Sequence, residues 1–188
     1  MASTTAVVGK IWTYTDYAAL DDGKRYEILE GELVMAPAPE LDHQGLIGEL
    51  FSGMRAHIVA GSLGKLYVVP VDVVLDDRNV VQPDLVFVSR KNQGVLKKTG
   101  IFGVPDLVVE VLSPSSIRMD RYRKLALYRD FKIPEYWIVD PAAGSIEVLS
   151  LRDGEFDLHS SAVGTGVVSS VVLPGFSVDV AELMKEIR

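Results

Sequence analysis

The sequence predicts an α/β fold in which a mixed central sheet is flanked by helices and preceded by an N-terminal β-hairpin. Three observations carry this. Short apolar, β-branched runs such as "LYVVPVDVVLD", "DLVFVS", "DLVVEV" and "EYWIVD" recur along the chain, bounded by Pro, Gly and Asp. Residues 43–59 carry apolar residues at spacings of three and four, and a second helix, "IRMDRYRKLALYRDF", runs to about 131. Strands and helices therefore interleave, the pattern of helices laid on a sheet. The 188 residues are enough for one domain with a substantial core, spanning 1–188.

In order along the chain, "TYTDYAALDDGKR" predicts a short helix with Thr13 or Thr15 as N-cap, stopped near Gly23. "RYEILEGELVMAPAP" predicts two short strands hinged at Gly31, ended by prolines. In 43–59, His43, Leu46, Ile47, Leu50, Phe51, Met54 and Ile58 share one face, and Asp42 is the expected cap. "LYVVPVDVVLD" and "VVQPDLVFVS" read as strands joined by the turn "DDRN", followed by a loop rich in Lys, Gly and Gln. A strand over 106–112 comes next. "SPSS" ends it and offers Ser116 as a cap for the helix "IRMDRYRKLALYRDF". "PEYWIVDP" and "SIEVLSL" are strands around the turn "PAAG", two weaker strand signals follow "RDGE", and "VDVAELMKEI" closes as a helix.

There is no cysteine, which excludes disulfides and thiolate metal sites and fits a cytoplasmic location. No apolar run approaches the roughly 20 residues of a membrane span, so no membrane partner is expected. The net charge is −7, but residues 90–132 hold ten Lys/Arg against four acids. A local basic zone of this kind suits a polyanion, or else a solvated helix face.

One residue breaks the pattern. Glu110 lies inside the apolar run "DLVVEVL", on the same face as Val108 and Leu112. A buried carboxylate must be neutralised, paired or bound to a cation. An Arg or Lys of the following helix is one answer, since Arg118, Arg121 and Lys124 come soon after. Lys124 also lies four residues from both Asp120 and Tyr128, so an exposed i,i+4 Asp–Lys pair is its simplest reading. The alternative sets Asp84 and Glu110 around a Mg²⁺ or Mn²⁺ ion, with Lys124 beside them. That is the equipment of a phosphodiester-cleaving site.

Taken together, "YEILEGELVMAPAPELDH", "VVQPDLVFVS", "VPDLVVEVLSPSS", Asp120-x-x-x-Lys124 and "IPEYWIVDP" resemble the Uma-two family over about residues 13–151, with a weaker echo in "VLPGFSVDVAEL". This bacterial group is assigned to the PD-(D/E)XK nuclease superfamily. The resemblance implies a restriction-endonuclease-like fold, a metal-dependent endonuclease activity on nucleic acid, with DNA the expected partner, and a possible homodimer. It implies Asp84 and Glu110 as catalytic acids and metal ligands, with Val111 among the metal positions. The superfamily places a Lys two residues after the acid. Here that position is Leu112, so the resemblance implies Lys124 as the migrated Lys, with Arg121 or Arg123 as alternatives. Glu32, His43 and Asp120 are accessory candidates, and Glu32 or Glu49 is the expected source of an additional acid. A nuclease fold that has lost cleavage and serves as a binding module is the competing reading. Another metal-dependent phosphoesterase is a third.

Overall fold

A computed structural model describes residues 9–36, 40–114 and 116–186. The chain order is α1 (Tyr14–Ala18), β1 (Tyr26–Leu29), β2 (Glu32–Met35), α2 (Leu41–Gly61), β3 (Gly64–Val68), β4 (Val73–Asp76), β5 (Asn79–Val81) and β6 (Leu85–Ser89). It continues with β7 (Leu96–Lys97), β8 (Gly100–Phe102), β9 (Leu107–Val111), α3 (Leu125–Asp130), β10 (Glu135–Asp140), β11 (Ser145–Arg152) and β12 (Glu155–Val163). The short strands β13 (Val167–Ser169) and β14 (Ser177–Asp179) lead to α4 (Val180–Leu183). Among the described residues, no helix is long and apolar enough to cross a membrane.

The central sheet has the order β12-β11-β10-β9-β6-β3. It is mixed, because β9 and β10 run parallel while β6 pairs antiparallel with both β9 and β3. The expected hairpin β1–β2 belongs to a second six-stranded sheet, ordered β2-β1-β5-β4-β8-β7. Two features of the sequence concealed that sheet. Its strands are short, and β7 and β8 lie in the Lys/Gly-rich stretch that reads as loop. "VVQPDLVFVS" is also two strands rather than one. β5 ends at Val81 in the second sheet and β6 begins at Leu85 in the central one. Pro83 has no N–H to give a ladder, so the Gln82-Pro83-Asp84 link is where the chain crosses between sheets.

Period-two alternation sorts the side chains into two cores. Leu107, Val109 and Val111 of β9 join Leu85, Phe87, Trp137 and Val139 against the α2 stripe of Leu46, Ile47, Leu50, Met54 and Ile58. On the other face, Val86, Val88, Val108, Tyr136 and Ile138 meet Leu127 and Tyr128 of the α3 segment. Leu29, Val34, Val81 and Ile101 of the second sheet pack there too. Each such side chain contributes about 1.5–3 kcal/mol on burial. Glu110 falls in turn on this second face, between a helix and two sheets.

The first helix starts as expected, and the later ones do not. Thr13 caps α1 in a capping box with Asp16, but that helix stops at Ala18. α2 opens at Leu41, so Asp42 lies in its first turn and Glu40 is the N-cap. The segment before α3, Met119–Lys124, is a wide π-type turn of helix. Ser116 does not cap it. Its Oγ instead accepts from the Ser113 N–H at 3.0 Å.

Candidate active site

Asp84 stands at the entrance to β6, and the β6–β9 register (Leu85 opposite Val109) sets it across from Glu110. Gln82 and Pro83 separate Asp84 from the end of β5, and its carboxylate accepts from the Val111 N–H of β9 at 2.8 Å. His43, in the first turn of α2, brings its Nε2 to 3.3 Å from Asp84 Oδ2. Its inward stripe explains this placing. The helix buries Leu46, Ile47 and Leu50 below, and His43 is the polar end of that face.

Glu110 meets Lys124. The Lys124 Nζ lies 2.9 Å from Glu110 Oε1 and 2.9 Å from Glu27 Oε1, with Asp120 Oδ1 at 3.6 Å. Tyr128 donates its hydroxyl to Glu110 Oε1 at 2.7 Å. Asp120, Lys124 and Tyr128 therefore form the predicted helix stripe, but it points into the protein. Asp120 is 3% exposed, Lys124 4%, Glu110 4%, Glu27 6% and Asp84 8%. The expectation of an exposed Asp120–Lys124 pair is overturned. The π-type turn and the packing of Leu127 and Tyr128 roll this stripe onto the sheet.

Glu27 is the acid the sequence did not reveal. It sits in β1 between Tyr26 and Ile28, and its Oε1 also accepts the Gln82 N–H at 2.7 Å. Glu32 does not reach the cluster; it pairs with Arg123 at 2.8 Å at the half-exposed hairpin end. Glu49 is exposed. The two hairpin acids lie on one face, Glu27 opposite Val34 and Glu32 opposite Leu29, and they differ in position along it, Glu32 being at the turn. Glu27 faces the sheet-to-sheet seam, a direction that becomes apparent only once β1 is known to pair with β5. Arg121 and Arg123 are not partners of Glu110 either. Arg121 pairs with Asp140 and Glu147, and Arg123 with Glu30 and Glu32. His57 hydrogen-bonds the Pro174 carbonyl, and Tyr136 and Trp137 are buried packing residues.

The electrostatics follow from three carboxylates around one ammonium in a buried seam, with Asp84 across from Glu110. Burial pushes the Glu110 carboxyl well above its ordinary value. Lys124 opposes that shift, while Asp120, Asp84 and Glu27 add to it. Burial likewise raises Asp120 against the pull of Lys124. Burial alone would lower Lys124, but Glu110 and Glu27 outweigh it and hold the ammonium firmly charged. For His43, burial works downward, and the Asp84 hydrogen bond and charge outweigh it to raise the imidazole. The surplus of negative charge and the hard oxygen donors suit a Mg²⁺ or Mn²⁺ ion in ligand type. Among the described residues no three acid or imidazole side chains stand ready as a cage. Lys124 and Tyr128 occupy Glu110 Oε1, and Val111 offers only its backbone.

A search of curated proteins gives no match. Among solved structures, the chain is similar to one from Anabaena variabilis described as "a putative nuclease belonging to DUF820". That likeness has a TM-score of 0.75 and 15% identity, and covers 93% of this chain and 98% of that one. It establishes the fold that the two chains share. Residues 13–181 match the family model described as "Putative restriction endonuclease", and the chain thus belongs to the Uma2 family.

Proposed function

We propose that this protein is a divalent-metal-dependent endonuclease that hydrolyses phosphodiester bonds of DNA at the Asp84–Glu110–Lys124 seam. The observation that carries the reading is the facing of Asp84 and Glu110 across adjacent strands, with one buried ammonium beside them. The Asp84 and Glu110 carboxylates and the Val111 backbone carbonyl would hold a Mg²⁺ or Mn²⁺ ion. Bound there, the cation supplies Lewis-acid activation of the attacking water and neutralises charge on the phosphate.

The remaining residues have definable tasks. Lys124 Nζ presents a compact donor to a phosphate oxygen as charge grows on it. Glu27 and Asp120 keep that ammonium charged and aimed. Tyr128 orients the Glu110 carboxylate through its hydroxyl. His43 steadies Asp84 from the side of α2.

The near-complete burial of these acids favours the second reading, a binding module without cleavage. One experiment separates the two. Purified protein is incubated with plasmid, single-stranded and branched DNA, with Mn²⁺ or with EDTA, beside an Asp84→Asn/Glu110→Gln double variant. Metal-dependent cleavage lost in the double variant supports the nuclease. DNA binding with no cleavage on any substrate supports the module.

A further inference from the structure

Lys124 and Glu110 meet from different elements. Glu110 belongs to β9 of the central sheet, whereas Lys124 ends the helical segment Met119–Lys124. Neighbouring strands hold Glu110 in register through their ladder. A helical segment has no ladder to the sheet, so its place is set by the side chains between them. This segment is of the wide π type, a form that occurs mostly as short bulges and frequently at functional sites.

Tyr136 of β10 reaches both partners. The parallel β9–β10 register sets Tyr136 beside Val108 and Ile138 beside Glu110. Period-two alternation therefore puts the Tyr136 side chain on the face that carries Glu110. Its hydroxyl donates to the backbone carbonyl of Asp120 at 3.2 Å, one turn before Lys124. The Asp120 side chain turns to the same ammonium, with Oδ1 3.6 Å from Lys124 Nζ. The Tyr136 ring meets the Tyr128 ring edge-on, with centroids 5.0 Å apart and planes at 83°. Tyr128 in turn donates to Glu110 Oε1. Tyr136 is fully buried among the apolar residues of the second core. Packing accounts for its ring but not for its hydroxyl, since a phenylalanine would fill nearly the same space. A buried phenol needs a hydrogen-bond partner, and here that partner is the backbone that carries the ammonium.

We propose that Tyr136 is a positioning residue for Lys124. Its hydroxyl fixes the Met119–Lys124 turn over the sheet and its ring backs Tyr128, so the two ends of the Lys124–Glu110 contact are held by one side chain. Its bearing on catalysis rests on the reading of Lys124 as the donor to the phosphate. A misplacement of about 1 Å can cost about a hundredfold in rate, so a hydroxyl remote from the reacting atoms still bears on the chemistry. The brace itself belongs to the fold and requires neither cation nor nucleic acid.

The test is Tyr136→Phe, which removes the hydroxyl and keeps the ring in the core. The whole protein, in EDTA, is treated with an amine-acetylating reagent, and peptide mass mapping follows each lysine. Exposed Lys98 is the internal reference. Buried Lys124 should label slowly in the native protein and several-fold faster in Tyr136→Phe, with Lys98 unchanged. Amide exchange of β9 and β10, followed in the same samples, should stay as in the native protein. With DNA and Mn²⁺, kcat should fall by about tenfold or more while KM is unchanged. The proposal is overturned if Lys124 labels at the native rate. It is overturned if β9 and β10 exchange faster in step with Lys124, because Tyr136 would then serve only the core. It is also overturned if the variant cleaves at the rate of an active native protein. The labelling needs no nuclease activity, so its outcome is read separately from the proposed function. A native protein that cuts no DNA substrate removes the catalytic reading and leaves the brace to be decided by Lys124 labelling.

Discussion

Lys124 shows what burial does to an ion pair. On a solvated helix its contact with Asp120 would be worth a few tenths of a kcal/mol. Here it is the ammonium shared by Glu27, Glu110 and Asp120 within a seam closed to water. Lys124→Ala strands three carboxylates and should cost about 3–5 kcal/mol in urea unfolding. Loss of cleavage by that variant alone would therefore prove little. Combining Lys124→Met with Glu110→Gln removes the ammonium and one of its three carboxylates, and the double variant should lose less stability than the sum of its two single variants. An additive loss in the double variant would show that the two groups are not coupled.

The same residues set a pH dependence. The folded pKa values of Glu110, Asp120 and His43 are all raised. Each group holds its proton more tightly in the fold, so its contribution is full below its unfolded pKa. For carboxyls that value is about 4, and for the imidazole about 6.5. The contribution is lost as pH rises through the folded value. Melting temperature should therefore fall from mildly acidic to mildly alkaline pH. Glu110→Gln should flatten part of that fall, measured by thermal melts across the range. A native protein whose stability rises with pH would contradict the raised acids.

At the scale of elements, one carboxylate fastens the C-terminal segment. Glu135, at the start of β10, is fully buried and accepts from Trp137 Nε1, Ser170 Oγ and the N–H groups of Val171 and Val172. Those donors have few other places to go, and each buried donor left unpaired costs about 1–3 kcal/mol. Glu135→Ala should lower stability by at least about 3 kcal/mol. It should also speed amide exchange at Val171 and Val172 ahead of the central strands. Uniform exchange across the molecule would argue against this fastening.

The elements also explain what the sequence could and could not disclose. Period-two alternation named the two faces of β9 and put Glu110 on the same side as Val108, because both cores obey it. The α2 stripe was legible from its spacings of three and four, which the first core obeys. Beyond the β1–β2 hairpin the second sheet was not, since β7 and β8, of two and three residues, leave no periodic signal. Glu27 was hidden with it. An acid's role depends on which strand lies beside it, and the β1–β5 pairing joins residues about fifty positions apart. Lys124 was found as a position, but its burial depends on how the helix rolls onto the sheet.

For the whole molecule, the two sheets meet at a chain crossing, and the acids gather there. A seam that packs three carboxylates around one ammonium, with Asp84 beside them, stores repulsion in the folded state. The unfolded chain spreads these charges into water and feels little of it. A divalent cation that binds only the folded seam must therefore stabilise it, by an amount that grows with cation concentration over its Kd. At a hundredfold excess over Kd the gain is about 2.7 kcal/mol, which for a chain of this size is a rise of roughly 5–10 °C in Tm. Mn²⁺ and Mg²⁺ should raise the melting temperature of the native protein, and EDTA should return it. Asp84→Asn keeps size and shape at the entrance to β6 but gives up one charged oxygen donor, so its melt should be insensitive to the metal. Glu32→Gln lies outside the seam, paired with Arg123 at the hairpin end, and should respond as the native protein does. An equal rise in Asp84→Asn would place the cation elsewhere on the surface and remove the acids of β6 and β9 from the metal chemistry.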